Sequence, residues 1–243
     1  MEELRGYLIR IVLATVVSAV VCFCFKDRLF AAVLAPRSSD FVSYRLFERL
    51  SGIRQEFEVA LINVDLAQQF LVHMKVALLA GLILVSPYAI YLLFRFIAPG
   101  LYEKERRPAV VAVVAGYIMF MLGVALNYFV IFPLTFRFLG TYQVDVSVVN
   151  QITLSSYISV LLLLSVVMGL VFELPVLSWL LAKVGLLDAA SMSRVRRYAV
   201  VVVLIVAAII TPTGDPVTLT VVALPIYLLY EFSILIVKRV RVK

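Results

Sequence analysis

"SPYAIYLLFRFIAPGLYEKERRPAV", residues Ser86 to Val110, is the stretch whose reading decides the fold. An apolar run ends at Pro99-Gly100, five charges follow in Glu103, Lys104, Glu105, Arg106 and Arg107, and apolar sequence resumes at Ala109. A bilayer's hydrocarbon core, about 30 Å thick, needs roughly 20 helical residues to cross it, and the runs on either side of the charges meet that length. Composition agrees: 64% of the 243 residues are hydrophobic and 15% charged, with a mean hydropathy of +1.08. Soluble domains are about 45–50% apolar and 25% charged, so the chain reads as an all-α membrane protein. Its net charge of +7 is explained by loops facing anionic lipid, without nucleic acid as a partner.

Counting outward gives six transmembrane helices, at about 7–25, 70–97, 109–132, 158–182, 198–210 and 217–237. The turn-forming run Thr211 to Pro216 separates the last two. The fifth segment has only thirteen residues, about 20 Å of helix, which predicts a thinned bilayer beside it or a turn set below the surface. Lys and Arg gather in the second-to-third loop (Lys104, Arg106, Arg107), the fourth-to-fifth loop (Lys183, Arg194, Arg196, Arg197) and the tail (Lys238, Arg239, Arg241, Lys243). With six spans these fall on one face, so both termini are expected in the cytoplasm. The long first loop, Lys26 to Gln69, balances six basic residues with six acidic ones; its Tyr44 to Val59 patch predicts an amphipathic helix or hairpin on the outer surface. A cleavable signal peptide is the rival for the first segment, but Cys22-Phe23-Cys24-Phe25-Lys26 stands where small residues would be needed.

Groups for catalysis are sparse. Cys22 and Cys24 lie about 200° apart around a helix, cannot readily share a metal or a bridge, and read as packing residues. The single histidine, His73, sits a turn into the second segment and reads as an interfacial polar residue. No paired His and Glu at helical spacing, no Ser and His dyad and no phosphate-cradling glycine loop is present. The expectation is therefore no enzyme, no cofactor and no metal. Glu173 stands out, because an ionised carboxylate inside a span costs at least a few kcal/mol. Pro175 removes a backbone donor beside it and predicts a kink. It reads either as a carboxyl satisfied by a neighbouring helix or as a polar contact in a membrane cavity that receives another chain. Glu231, about two turns before Lys238, reads as an interfacial residue.

Four stretches, in order, resemble the TatC family, the polytopic receptor subunit of the twin-arginine protein translocase. They are "EELR" (Glu2 to Arg5), "SPYAIYLLFRFIAPGLYEKERR", "FELP" (Phe172 to Pro175), and "RRYAVVVVLIVAAIITPTGDP" with "ALPIYLLYE". The likeness runs from about residue 3 to 237 and implies one TatC-like integral membrane domain over residues 1–243. The helices would form a concave bundle with short fifth and sixth members. The chain departs from the pattern in beginning "MEELRGYL", without the usual His-Leu, and in a last outer turn one residue longer than usual, so Asp215 aligns loosely.

The resemblance implies a receptor in the bacterial cytoplasmic (inner) membrane that binds the twin-arginine signal peptide of folded cargo. Export would use the proton gradient, with TatA-like and TatB-like single-span subunits and further copies of the chain in the complex. It assigns signal-peptide binding to Glu3, Arg5, Phe96, Pro99, Tyr102, Glu105 and Arg106, and an intramembrane polar or partner contact to Glu173, Pro175 and Asp215. The chemistry fits, since the planar fork of Arg matches a carboxylate with two parallel, charge-assisted hydrogen bonds. On the residues alone, Glu105 reads as a local partner of Arg106 or Lys104 in a solvated loop, and Phe96 equally as an aromatic at the lipid interface. The alternative function is a proton-coupled small-molecule transporter with Glu173 as the coupling carboxylate, which would call for more deep charges and for repeat symmetry.

Overall fold

The computed structural model describes residues 2–51, 60–97, 106–143, 145, 150–211 and 215–240. These residues fold into α1 (Glu2–Phe23), α2 (Lys26–Leu34), α3 (Val42–Ser51), α4 (Gln68–Ile97), α5 (Arg106–Leu126), α6 (Phe132–Thr141), α7 (Leu154–Val171), α8 (Leu174–Lys183), α9 (Ala189–Arg194), α10 (Arg196–Ile210) and α11 (Pro216–Arg239). A 3-10 turn, Ala35–Arg37, follows α2, and a π-helical turn, Asn127–Ile131, joins α5 to α6. Two short strands, β1 (Leu61–Ile62) and β2 (Ile152–Thr153), pair in parallel with Leu61 opposite Ile152. Each strand leads into a long helix, α4 or α7, so both helices start at the same end of the bundle. That end is called distal; the end holding the start of α1 is proximal.

Five stretches are long and apolar enough to cross a membrane: Arg5–Phe23, Gln68–Arg95, Val111–Thr141, Leu154–Lys183 and Pro216–Arg239. The fifth expected span, α10, has 15 residues, about 22 Å of helix, and stays shorter than the hydrocarbon core. The last span is not short, as the resemblance implied, but runs for 24 residues. Asp215 caps it through Thr218 N–H at 2.7 Å, Pro216 sits in its first turn, and Pro225 is absorbed within it. The third span also exceeds its expected end at residue 132. Pro133 stands in the first turn of α6, directly after the π turn, and the Phe129 carbonyl that its missing N–H leaves open accepts from Ser43, so helix continues to Thr141. Cys22 is buried as expected, but Cys24 is exposed and is not a packing residue.

Close backbone contact sets the helix pairs. Phe23 near the end of α1 stacks its ring 3.8 Å from that of His73 near the start of α4. Further along, a methyl placed on Gly81 would meet the backbone of Ala19 at 2.7 Å and of Thr15 at 2.9 Å. The two helices are therefore antiparallel and nearly in backbone contact, as small residues permit in a membrane. Gly123 of α5 lies likewise against the Met168 carbonyl of α7. The main apolar core gathers Val76, Ile131, Phe132, Ile158, Leu164 and Met168 with Ala207 and Val222 from the last two helices.

Hydroxyl groups fasten the distal cap. The amphipathic segment expected from Tyr44 onward is helix α3 through Ser51; its remainder, residues 52–59, lies outside the described residues. Pro133 has no N–H for the Phe129 carbonyl four residues before it, and the Ser43 hydroxyl donates there. Tyr44 Oη lies 3.1 Å from the carbonyl oxygens of Pro36 and Pro133. Tyr128 donates to Ala32 O at 2.6 Å and Tyr157 to Val33 O at 3.0 Å. Burial of the Tyr44 ring pushes its phenol pKa up, so the hydroxyl stays a donor at any physiological pH.

The glycine contacts yield a direct test. Gly to Ala inside a helix gains up to about 1 kcal/mol from propensity, whereas overpacking costs about 1–3 kcal/mol, so the clash wins where the neighbour is backbone. Gly81→Val and Gly123→Val are each expected to lower the thermal unfolding midpoint of the protein in detergent. Gly6→Ala, with nothing within 4 Å, leaves it unchanged or slightly higher. Equal midpoints for all three variants would show that these contacts do not hold the helices.

Candidate functional site

The fourth span breaks where its sequence says it should. Helix α7 ends at Val171 and α8 begins at Leu174, leaving Phe172 and Glu173 between them. Pro175 cannot donate to the Val171 carbonyl, which ends the regular ladder. Glu173 nonetheless keeps helical dihedrals (φ −74°, ψ −14°), and its carbonyl accepts from Leu177 N at 2.9 Å. The chain thus bends without reversing, and the half-buried Glu173 side chain points at α5. A methyl placed on Gly116 would lie 3.0 Å from Glu173 Oε2, 3.4 Å from Oε1 and 3.2 Å from Ile90 Cγ2. Gly116 makes room for the carboxylate between α4, α5 and the break. Glu173 Oε1 is buried with no hydrogen-bond partner, so the group can accept a bond from a polar side chain on another helix.

Two other polar contacts escaped the sequence reading. Asn127, fully buried in the π turn, donates to Ser165 Oγ at 2.8 Å, and Ser165 donates to Leu161 O at 2.8 Å. Near the proximal end Arg196 pairs with Glu231 at 2.8 Å, and Tyr227 donates to the same carboxylate at 3.1 Å. Tyr230 donates to Met192 O at 2.7 Å. Glu231 is therefore a tie between α10 and α11 and not a lone interfacial acid. An Asn in an apolar run and an Arg-Arg pair before another are visible in sequence, but their partners lie 38 and 35 residues away.

The expected signal-peptide residues fall on helix ends. Glu3 lies on the first turn of α1, Phe96 on the last turn of α4 and Arg106 at the start of α5. Arg5 is exposed on α1. Pro99, Tyr102 and Glu105 lie outside the described residues. Because α1 and α4 are antiparallel, the ends carrying Glu3 and Phe96 meet at the proximal end. Glu173 and Pro175 sit together at the break. Asp215 does not join them: it is the cap of α11, and Phe232, which shares a groove with Pro175, lies about 25 Å further along that helix.

Long apolar helices in close contact, with a carboxylate held inside the bundle, define a polytopic membrane protein. Residues 1–225 match the family described as Sec-independent protein translocase protein (TatC). A TatC protein of Helicobacter pylori is 40% identical over 77% of this chain and 75% of its own length. Those of Desulforapulum autotrophicum and Deinococcus radiodurans are 33% and 32% identical, over 96% and 100% of this chain and 80% and 85% of theirs. A crystal structure of the twin arginine translocase receptor TatC superimposes with a TM-score of 0.80 at 31% identity, covering 98% of this chain and 97% of that one. The chain belongs to the TatC family.

Two substitutions separate the polar contacts by strength. Glu173→Met keeps the shape and removes a buried acceptor that lacks a partner, which costs about 1–3 kcal/mol; the thermal midpoint in detergent is expected to rise. A fall would show that the carboxylate is bonded within the chain. Arg196→Ala removes a partly exposed pair, worth at most about 1 kcal/mol, and is expected to lower the midpoint only slightly, with the loss shrinking in high salt.

Proposed function

We propose that this chain is the receptor and core subunit of a twin-arginine translocase, with no catalytic cycle of its own. In this reading it is one integral membrane domain of six spans, α10 being the short fifth, with both termini in the cytoplasm of a bacterium and the bundle in its inner membrane. The twin-arginine signal peptide of a folded cargo docks at the proximal end. Glu3 and Glu105 each grip an arginine, Phe96 and Pro99 meet the apolar part of the signal, and Arg5, Tyr102 and Arg106 hold the two acids in register. Single-span partners of the TatA and TatB kind, and further copies of the chain, assemble on the bundle, and export draws on the proton gradient.

The observation that carries this reading is the antiparallel pairing of α1 with α4 in a chain of the TatC family. It brings the helix ends bearing Glu3 and Phe96 to one end of the bundle, the end from which residues 98–105 continue the motif. The lone buried oxygen of Glu173 supports the partner contact, since a polar side chain on an incoming helix would give it the bond it lacks. Pro175 contributes by opening the helix there, while Asp215 acts on partners only through the start of α11 that it caps.

Each charge-assisted bond to a carboxylate is worth about 1.5–3 kcal/mol, so losing one weakens signal binding roughly tenfold or more. Glu105→Gln and Glu3→Ala are each expected to cut export of a folded reporter with a twin-arginine signal, and to reduce photocrosslinking of that signal peptide to the purified protein. Normal export by both variants would refute the assignment of these acids. Crosslinks from position 173 that capture no single-span helix would refute the partner contact.

A further inference from the structure

Helices α8 and α11 run parallel, and their last turns bound two grooves that join. One, about 350 Å³, is lined by apolar side chains of three helices, among them Val111, Ala115 and Met119 of α5, Val176 of α8 and Phe232 of α11. The other, about 470 Å³, lies nearer the proximal end and is lined by Trp179, Lys183, Ile236, Arg239 and Val240. Trp179 and Ile236 belong to both. The charged groove and the apolar trough therefore adjoin along α8 and α11, with the indole at their shared wall, and are taken together as one channel.

We propose that this channel binds one anionic phospholipid, its phosphate between Lys183 and Arg239, its glycerol region against Trp179 and an acyl chain along the trough. Charge complementarity selects the headgroup. Lys183 Nζ stands 5.5 Å from the Trp179 ring centroid, which holds a half-buried cation at the mouth, and Arg239 faces it from α11. Lys238 adds a third positive charge next in sequence. Basic side chains beside a membrane attract anionic lipid, and an indole at the lipid interface suits the boundary between headgroup and chain. The two helix C-termini that meet here carry partial negative charge, which the Lys183 and Arg239 cations offset. Capping also occupies some of their carbonyls: Gly185, at φ +78°, donates to Ala182 O at 3.1 Å, Leu186 N to Leu181 O at 2.9 Å and Val240 N to Val237 O at 3.0 Å.

A helical segment along α11 from Phe232 to Arg239 would fill roughly 800 Å³, comparable to the two grooves of about 350 and 470 Å³ together, so volume does not choose the occupant. The order of the lining does: two cations at the mouth, an indole, then an apolar trough match the headgroup, glycerol region and acyl chain of an anionic lipid. The site is separate from the residues assigned to signal recognition; of the residues in the proposed function it shares only Pro175, which lines the trough.

Trp179 is the only tryptophan of the chain, so its fluorescence reports this channel alone. The full chain is reconstituted in phosphatidylcholine vesicles containing a rising fraction of phosphatidylglycerol brominated on its acyl chains, or of phosphatidylcholine brominated likewise. Brominated phosphatidylglycerol is expected to quench the emission at a mole fraction at least about threefold lower, since each nearby cation favours anionic lipid severalfold. In Lys183→Gln/Arg239→Gln the two lipids should quench alike, whereas Lys183→Arg/Arg239→Lys should retain the preference. Equal quenching by both lipids in the unaltered chain would overturn the proposal. So would a preference that survives Lys183→Gln/Arg239→Gln, or one that is lost in the charge-preserving variant. If neither lipid quenches, a protein segment or a second copy covers Trp179 and the proposal fails.

Discussion

Helices in a bilayer gain little from the hydrophobic effect when they meet, because lipid tails are as apolar as leucine. Their association rests on how closely backbones can approach. In this chain that closeness comes from a few glycines: Gly81 admits α1 to α4, and Gly123 admits α7 to α5. Helix α1 depends on it most. Val12, Val17 and Val20 face away from the bundle, and its packing is chiefly on α4, so a widened gap at Gly81 would leave it little else to hold. The meeting of its first turn with the last turn of α4 at the proximal end follows from the same contact.

Polar groups then distribute themselves by depth. At the distal end, hydroxyls of Ser43, Tyr44, Tyr128 and Tyr157 reach carbonyls that helix ends and prolines leave available. In the middle, Asn127 of the π turn pairs with Ser165 of α7. Toward the proximal end, Arg196 and Glu231 join α10 to α11. Such bonds direct which helices pair, since an unmet polar group in hydrocarbon is costly. Glu173 differs from these in being a carboxylate with a buried oxygen that has no partner, and it lies where Pro175 has already broken the helix. An unmet buried carboxylate oxygen carries a cost in stability that folding alone does not explain.

The broad architecture was legible in the sequence because hydropathy and length act locally. The runs around 70–97 and 158–182 became α4 and the α7–α8 pair, and Pro175 marked the break beside Glu173. Ends were harder to read. The third span, expected to end at residue 132, continues through the first turn of α6 at Pro133 to Thr141; the last span, implied to be short, is capped by Asp215 and runs to Arg239. The Asn127–Ser165 and Arg196–Glu231 contacts could not be read at all, because nothing in a local window says which distant residue will face an Asn or an Arg. Of the candidate site, Glu173 was found from its depth and its neighbouring proline. The glycine that makes room for it, Gly116, belongs to another helix and gave no signal of its own.

The small parallel pair of β1 and β2 bears on the order in which the chain can assemble. Leu61 and Ile152 are 91 residues apart, and a nascent chain emerges from its first residue to its last. The segment before α4 therefore waits, without its strand partner, while α4, α5 and α6 are made and threaded. Only when Thr153 has been made can the two strands join and set the entry points of α4 and α7 side by side, at the roughly 4.8 Å spacing of paired strands. The pair works as a late clasp: the first half of the molecule is closed by a residue from the second, so an interrupted chain ending before residue 152 would lack the contact that fixes where α4 begins.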